Sequence, residues 1–438
     1  MGFLAAFFLA WPIFRVASPL QINANEPWNA WFIDAVLAGA PLYPGPDELI
    51  VNNYPPLSFT IVALVAKLTG DTIYAGRLTS LVSTGVIGIA VALCARALGG
   101  LRLSAVFGGL WCIATLGCFF SRYVGTNDPN LLALAAMGLS LALFLSSLSK
   151  GRSIAPAIAC MVLCGFIKHS LIAIPLAAMI WLFWQDRRRA LWALLLGAAL
   201  SALGLSMCLM VYGANFLTEM LLPREITLAH VFTTLGKIQW IAPALVFWAL
   251  WAWPNRGGQA ARFTGVFIGT SLLSDVLQAL GAGVTINSLF ELVFASGVGV
   301  AVAIEGIAGA PLAKRFGVRA VQSAMLVILV LRFVFWTQME PYLLLASPAF
   351  HDELRLNRAA MEEEVRRIAA IPGRALWCSE PTVCYRAGKA FVYDAFWVDQ
   401  MIATGKRTRE AVDRAIIDRG IRFEEIDPKA KRERRRLF

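Results

Sequence analysis

Residues 2 to 29 read GFLAAFFLAWPIFRVASPLQINANEPWN, an apolar segment followed directly by the acidic motif Asn25-Glu26-Pro27-Trp28-Asn29. The pattern is repeated along the chain: over the first 340 positions, runs of apolar residues alternate with charged turns. A bilayer core of roughly 30 Å takes about 20 helical residues, which is the length of most of these runs. Hydrophobic residues make up 58% of the chain, charged residues only 15%, and mean hydropathy is +0.66. These values exclude an ordinary soluble protein and indicate an α-helical polytopic membrane protein.

Outward from the first segment, the apolar runs fall at 2–20, 78–95, 103–120, 131–149, 153–167, 170–184, 190–212, 238–253, 263–281, 289–308 and 320–338, which predicts eleven transmembrane helices. Residues 2–20 read as a retained anchor rather than a signal peptide, since no positive charge precedes them and Arg15 sits inside. Arg96 and Arg102, Lys150 and Arg152, Arg187 to Arg189, Arg256 and Arg262, and Lys314, Arg315 and Arg319 fall on alternate turns. Cationic turns face the cytoplasm. Glu26, Asp128, Lys168 and the loop 213–237 are then expected outside. No internal repeat is evident.

After about position 339 the composition changes. His351-Asp352-Glu353 opens a charged amphipathic helix to about Ile371, closed by Pro372-Gly373. Short apolar runs at 375–378, 390–393 and 421–426, with a helical pattern over 408–418, predict a small α/β domain over 340–438 behind a transmembrane domain over 1–339. An odd number of spans places it outside the cytoplasm. The basic run 429–436 supplies much of the net charge of +11 and reads as a solvated tail. Nucleic acid is excluded as a partner, because the other cations follow topology. Membrane lipids are the expected surroundings.

Of eight cysteines, Cys94, Cys112, Cys118, Cys160, Cys164 and Cys208 lie in apolar helices and are expected to be buried. Cys378 and Cys384 lie in the aqueous part, where a disulfide is an open alternative. The three histidines have no metal-ligand spacing.

The loop 21–77 is long and reads as two interfacial pieces around Asn52-Asn53-Tyr54-Pro55-Pro56, with Trp28, Trp31, Phe32 and Tyr43 at headgroup level. A second acid, Asp128, stands in Asn127-Asp128-Pro129-Asn130. Asp before Pro commonly caps a helix, so the residue alone is ambiguous. Lys168 and His169 are the only ionisable residues between Arg152 and Asp186. Residues 153–184 would extend about 48 Å as one helix, too long for one crossing, so the turn at 168 dips below the headgroups. A cation there needs a partner, and a lipid phosphate suits it. The loop 213–237 adds Glu219, Arg224, Glu225, His230 and Lys237, while Asp275 and Glu291 interrupt apolar helices, where carboxylates usually face a cavity.

Four motifs together resemble the GT-C glycosyltransferases of family 39 type, relatives of the protein mannosyltransferases and the lipid A aminoarabinose transferases. They are Asn25-Glu26, Asn53-Tyr54-Pro55-Pro56-Leu57, Asn127-Asp128-Pro129 and Gly165-Phe166-Ile167-Lys168-His169, in family order. Cys378-Ser379-Glu380 and Tyr385-Arg386-Ala387-Gly388-Lys389 extend the resemblance to the outer domain of bacterial members. Many relatives carry two adjacent acids where this chain has Asn25 and Glu26. The resemblance implies a polyprenyl-phosphate sugar as donor, transfer with inversion to an extracytoplasmic lipid, glycan or protein, and a place in the bacterial inner membrane. Glu26 is expected to be the general base. Lys168, His169 and Arg224 are expected to bind the donor phosphate, and Asn25, Asn53, Tyr54, His230 and Glu291 the substrates. Asp128 is assigned to catalysis, by orienting the acceptor, holding a sugar hydroxyl or binding a divalent cation. No other cofactor is implied. A transporter or flippase of lipid-linked sugars is the alternative, with Lys168, Asp275 and Glu291 along its path.

Overall fold

The computed structural model describes residues 1–335 and 338–426. The basic run 429–436 lies outside them. The chain opens with α1 (Gly2–Val16), and the first loop folds into α2 (Asn25–Ala38) and α3 (Pro56–Thr69). The bundle continues through α4 (Thr72–Ala97), α5 (Arg102–Phe119), α6 (Asn130–Ser149), α7 (Ala155–Gly165), α8 (Ala173–Gln185) and α9 (Arg187–Tyr212). Two short helices, α10 (Ala214–Met220) and α11 (Leu228–Leu235), precede α12 (Ala242–Ala252), α13 (Gln259–Ala279), α14 (Phe290–Gly306), α15 (Pro311–Phe316) and α16 (Val318–Val334).

Helix starts follow from local chemistry. Asp71 accepts from the Tyr74 amide (2.7 Å) to begin α4, and Asp186 accepts from Arg189 (3.0 Å) to begin α9. Each predicted apolar run carries a helix. Among the described residues, six helices are by length and composition long and apolar enough to cross a membrane, or seven when Leu228–Trp240 and Ala242–Ala252, bent by 72°, are one broken span. Gly2–Val16, Pro56–Thr69, Ala155–Gly165 and Ala173–Gln185 are shorter apolar helices.

Helices alternate in direction, so the starts of α4, α6, α8 and α14 and the ends of α5, α7, α9 and α13 share one end of the bundle. On that end lies the rest of the chain: α17 (Glu340–Ala346), α18 (Pro348–Ala370), β1 (Leu376–Cys378), α19 (Pro381–Arg386), α20 (Ala395–Ala403), α21 (Arg409–Asp418) and β2 (Arg422–Glu424). β1 and β2 pair in parallel, Leu376 opposite Arg422. The run 390–393 is not a strand. Its Phe391 ring instead stacks on Trp31 at 4.6 Å. A disulfide joins Cys378 and Cys384. Among the six free cysteines Cys160 is exposed, contrary to expectation, because it lies on the outer face of α7.

The first loop is a seat for this C-terminal unit rather than an aromatic belt. Trp28 Nε1 donates to Asp394 (2.9 Å), Trp31 Nε1 to the Lys389 carbonyl (3.2 Å), and Tyr385 to Asp34 (2.8 Å). Leu49 and Val51 share one apolar core with Trp397, Val398, Met401, Val412 and Ile421. The divide at 339 therefore separates the chain into composition classes but not into independent cores.

Candidate active site

Glu26 sits in the first turn of α2 and is fully buried. Its carboxylate accepts two hydrogen bonds from Arg77 of α4 at 2.7 Å, one from the Ile22 amide (2.9 Å) and one from the Asn127 amide (3.2 Å). Arg77 also donates to the carbonyls of Ser18 (2.5 Å) and Leu20 (2.7 Å), which belong to the turn leaving α1. Every acceptor of this carboxylate faces protein. In this arrangement Glu26, expected to be the general base, is held in an ion pair with Arg77 and accepts from the turn that carries Asn127. Gly76 permits this, since a Cβ there would stand 1.9 Å from the Asn127 side-chain oxygen.

That turn presents Asp128. One carboxylate oxygen accepts from the Asn130 amide (2.9 Å) and side chain (2.5 Å), the helix-capping role. The other, Oδ2, is buried with no hydrogen-bond partner. Asp128 borders a polar cavity of about 290 Å³ together with Asn25, Asn53, Tyr54, Tyr123, Asn130, Lys168, His169, Arg224, Gln278 and Asn287. Residues of four separate stretches of chain, around Asn25, Tyr54, Asp128 and Lys168, thus line one cavity.

Lys168 is 6% exposed, its ammonium 3.2 Å above the centre of the Tyr54 ring. Burial pushes its pKa down to about 7, with Asp128 opposing and Arg224 adding to the fall. Arg224, on the loop after α10, donates to the Ala282 carbonyl (3.2 Å), and burial lowers its pKa too. These cations face a cavity with one carboxylate.

Two expected substrate residues lie elsewhere. Glu291 is fully buried and accepts from the Ala173 (3.2 Å) and Ile174 (2.9 Å) amides. It caps α8, satisfying amides that no helical carbonyl reaches, and so fixes the turn carrying Lys168 and His169. His230 lies on α11, outside the cavity lining. Asp275 is buried in α13 without lining it. Glu219 ties the loops together by accepting from Gly45 and Asn52 at 2.6 Å each, and burial pushes its pKa up to about 7. Among the described residues, no group of three or more His, Cys, Asp or Glu side chains is placed to hold a metal ion.

An apolar groove of about 550 Å³ opens between α7, α8 and α9, lined by residues such as Met161, Phe166, Met179, Gly197, Ala198 and Leu205. It shares His169 and Met220 with the polar cavity. Apolar groove and charged cavity are therefore adjacent, with His169 and Met220 between them.

No family model matches the chain, and no curated protein matches it. Among solved structures it is similar to ArnT from Cupriavidus metallidurans in the apo state, with TM-score 0.59 and 14% identity over 92% of this chain and 88% of that one. The chain has the ArnT fold. A second structure, ArnT bound to undecaprenyl phosphate, aligns with TM-score 0.52 and 15% identity over 87% of this chain and 74% of ArnT. The likeness to ArnT runs through both the bundle and the C-terminal unit.

Sequence reading missed Arg77, although a lone cation within the first two turns of an apolar helix is a signal of a buried partner. It also missed Gln278 and Asn287, whose uncharged amides give no signal in an apolar chain.

Proposed function

We propose that the protein is a membrane glycosyltransferase that takes a sugar from a polyprenyl-phosphate donor and passes it, with inversion, to an acceptor hydroxyl outside the cytoplasm. The observation that carries this is the unpartnered Oδ2 of Asp128 in one polar cavity with Lys168 and Arg224, next to the apolar groove. The likeness to an ArnT structure that holds undecaprenyl phosphate supports a lipid phosphate as ligand.

The reaction is a single displacement. The acceptor oxygen attacks the anomeric carbon while its proton passes to Asp128 Oδ2. The bond between that carbon and the phosphate oxygen breaks, and its electron pair stays on the phosphate. Negative charge grows on the leaving group, so fixed cations at Lys168 and Arg224 stabilise the transition state more than the ground state. His169 stands where groove and cavity meet, beside the phosphate. Asn25, Asn53 and Tyr54 meet sugar or acceptor hydroxyls. The polyprenyl chain occupies the groove.

The test is purified full-length protein incubated with a panel of polyprenyl-phosphate sugars and candidate acceptors. Release of free polyprenyl phosphate with one donor supports the reading and names the sugar. Intact donor throughout, with undecaprenyl phosphate also failing to bind, sinks it.

A further inference from the structure

Arg224 is carried by a connection between two short helices, where an arginine side chain is free to take many rotamers. Here it is confined from the C-terminal unit. Its guanidinium carbon lies 5.0 Å from the Trp397 ring and 5.8 Å from the Phe396 ring, both in α20. The Glu225 amide donates to the Gln400 side chain (2.8 Å), also in α20. The connection is further zipped to the turn after α13, since Ala282 N donates to the Glu225 carbonyl (2.9 Å) and Thr227 N to that of Leu280 (2.9 Å). That turn is seated on α20 as well: Gly283 is at φ +78°, and a Cβ there would stand 2.5 Å from the Phe396 ring. Two walls of the cavity thus rest on one helix.

The anchorage of α20 is built to hold position. Asp394, at its N-cap, accepts from the Trp397 amide (3.1 Å) with one oxygen and from Trp28 Nε1 (2.9 Å) with the other. The Asp394 amide donates to the Leu49 carbonyl (2.8 Å). Trp397 is 3% exposed. Trp28 itself meets the Tyr54 ring edge to face at 4.9 Å, and Tyr54 carries Lys168 on its other contact. Both cavity cations therefore lean on aromatic groups whose places are set by one capped helix of the C-terminal unit.

We propose that α20 is part of the donor site, with Trp397 and Gln400 as positioning residues that hold the Arg224 guanidinium where the phosphate binds. This rests on the reading that Arg224 meets the donor phosphate. Preorganisation is the gain: an arginine already ordered by its neighbours loses less freedom on gripping an anion.

A double-mutant cycle on the full-length protein in nanodiscs tests it, with undecaprenyl phosphate as the probe. Trp397→Leu keeps the position apolar but removes the ring face, and should weaken binding about five- to tenfold, the scale of one desolvated cation–π contact. Trp397→Phe should restore binding to within about twofold, since the ring face returns. In an Arg224→Gln background, Trp397→Leu should have no further effect. Equal binding by W397L and the parent protein overturns the proposal, as does an effect of W397L that persists undiminished beside R224Q, which is general destabilisation. Gln400→Met, which removes the acceptor of the Glu225 amide, carries the same cycle should W397L accumulate poorly. R224Q alone decides the underlying reading: unchanged affinity there means that Arg224 meets no phosphate, whatever Trp397 does.

Discussion

Two acids were legible as site candidates, and only their surroundings separate their roles. Glu26 has four hydrogen bonds and no solvent, while Asp128 keeps one buried oxygen unpartnered. Asp128→Asn should therefore leave a folded protein whose turnover falls about 10²- to 10⁴-fold, the contribution of a positioned base; normal turnover would remove Asp128 from the chemistry. Glu26→Gln should act differently, by leaving the Arg77 charge buried without its counter-ion. Such losses cost about 3–5 kcal/mol, so this variant should melt earlier and accumulate less, and an unchanged melting temperature would show the pair to be dispensable. Lys168 yields a prediction about pH. Its pKa in the empty cavity is about 7, so the ammonium is present below that value and lost above it. An anionic phosphate needs the ammonium, hence donor affinity should be flat below about pH 7 and fall up to tenfold per unit above it. Lys168→Arg, which stays charged, should flatten the profile. Parallel profiles for K168R and the parent would assign the pH dependence elsewhere. Lys168 was visible in sequence because a charge inside an apolar stretch is anomalous; the Glu26–Arg77 pair was not, since its members are 51 positions apart.

Elements were legible where length decided them. The span 153–184 is too long for one crossing and too short for two, and α7 and α8 are accordingly short helices meeting at Lys168. Several of the other apolar runs likewise carry helices of only three or four turns, so helix length by itself does not mark each run as a crossing. Helix α20 was not legible: AFWVDQMIA mixes aromatic and β-branched residues that suit a strand equally, and its meaning lies in what it touches. The groove between α7, α8 and α9 was equally hidden, because a helix lining a lipid-facing slot and one facing bulk lipid are both apolar throughout. Its role predicts a dependence on chain length. Ala198 lines the groove, and Ala198→Trp should fill it. Donors with a full polyprenyl chain should then bind about tenfold or more weakly, since each buried methylene contributes about 0.8 kcal/mol. A donor with a chain of about ten carbons needs little of the groove and should bind as before. Equal losses for long and short donors would show that A198W distorts the charged cavity instead.

At the scale of the whole molecule, the cations sort by end. Arg102, Lys150, Arg152, Arg187, Arg188, Arg189, Arg256, Arg262, Lys314 and Arg315 lie on turns away from the cavity, following the alternation of helix directions. Asn25, Asp128, Lys168 and Arg224 gather at the other end, under the C-terminal unit. Positive charge on short loops is retained in the cytoplasm during insertion, so under the proposed function this asymmetry predicts that the cavity faces outward. The prediction is read by labelling with a membrane-impermeant maleimide in intact cells, with Cys160, exposed on α7, replaced by alanine. Lys406 is exposed in the C-terminal unit and Arg188 is exposed on the cationic turn before α9. Lys406→Cys should be labelled in intact cells, whereas Arg188→Cys should react only after permeabilisation. The reverse pattern would place the cavity in the cytoplasm, where an extracytoplasmic acceptor never arrives. Labelling of both in intact cells would mean that the two ends face one compartment, which the alternating helices forbid.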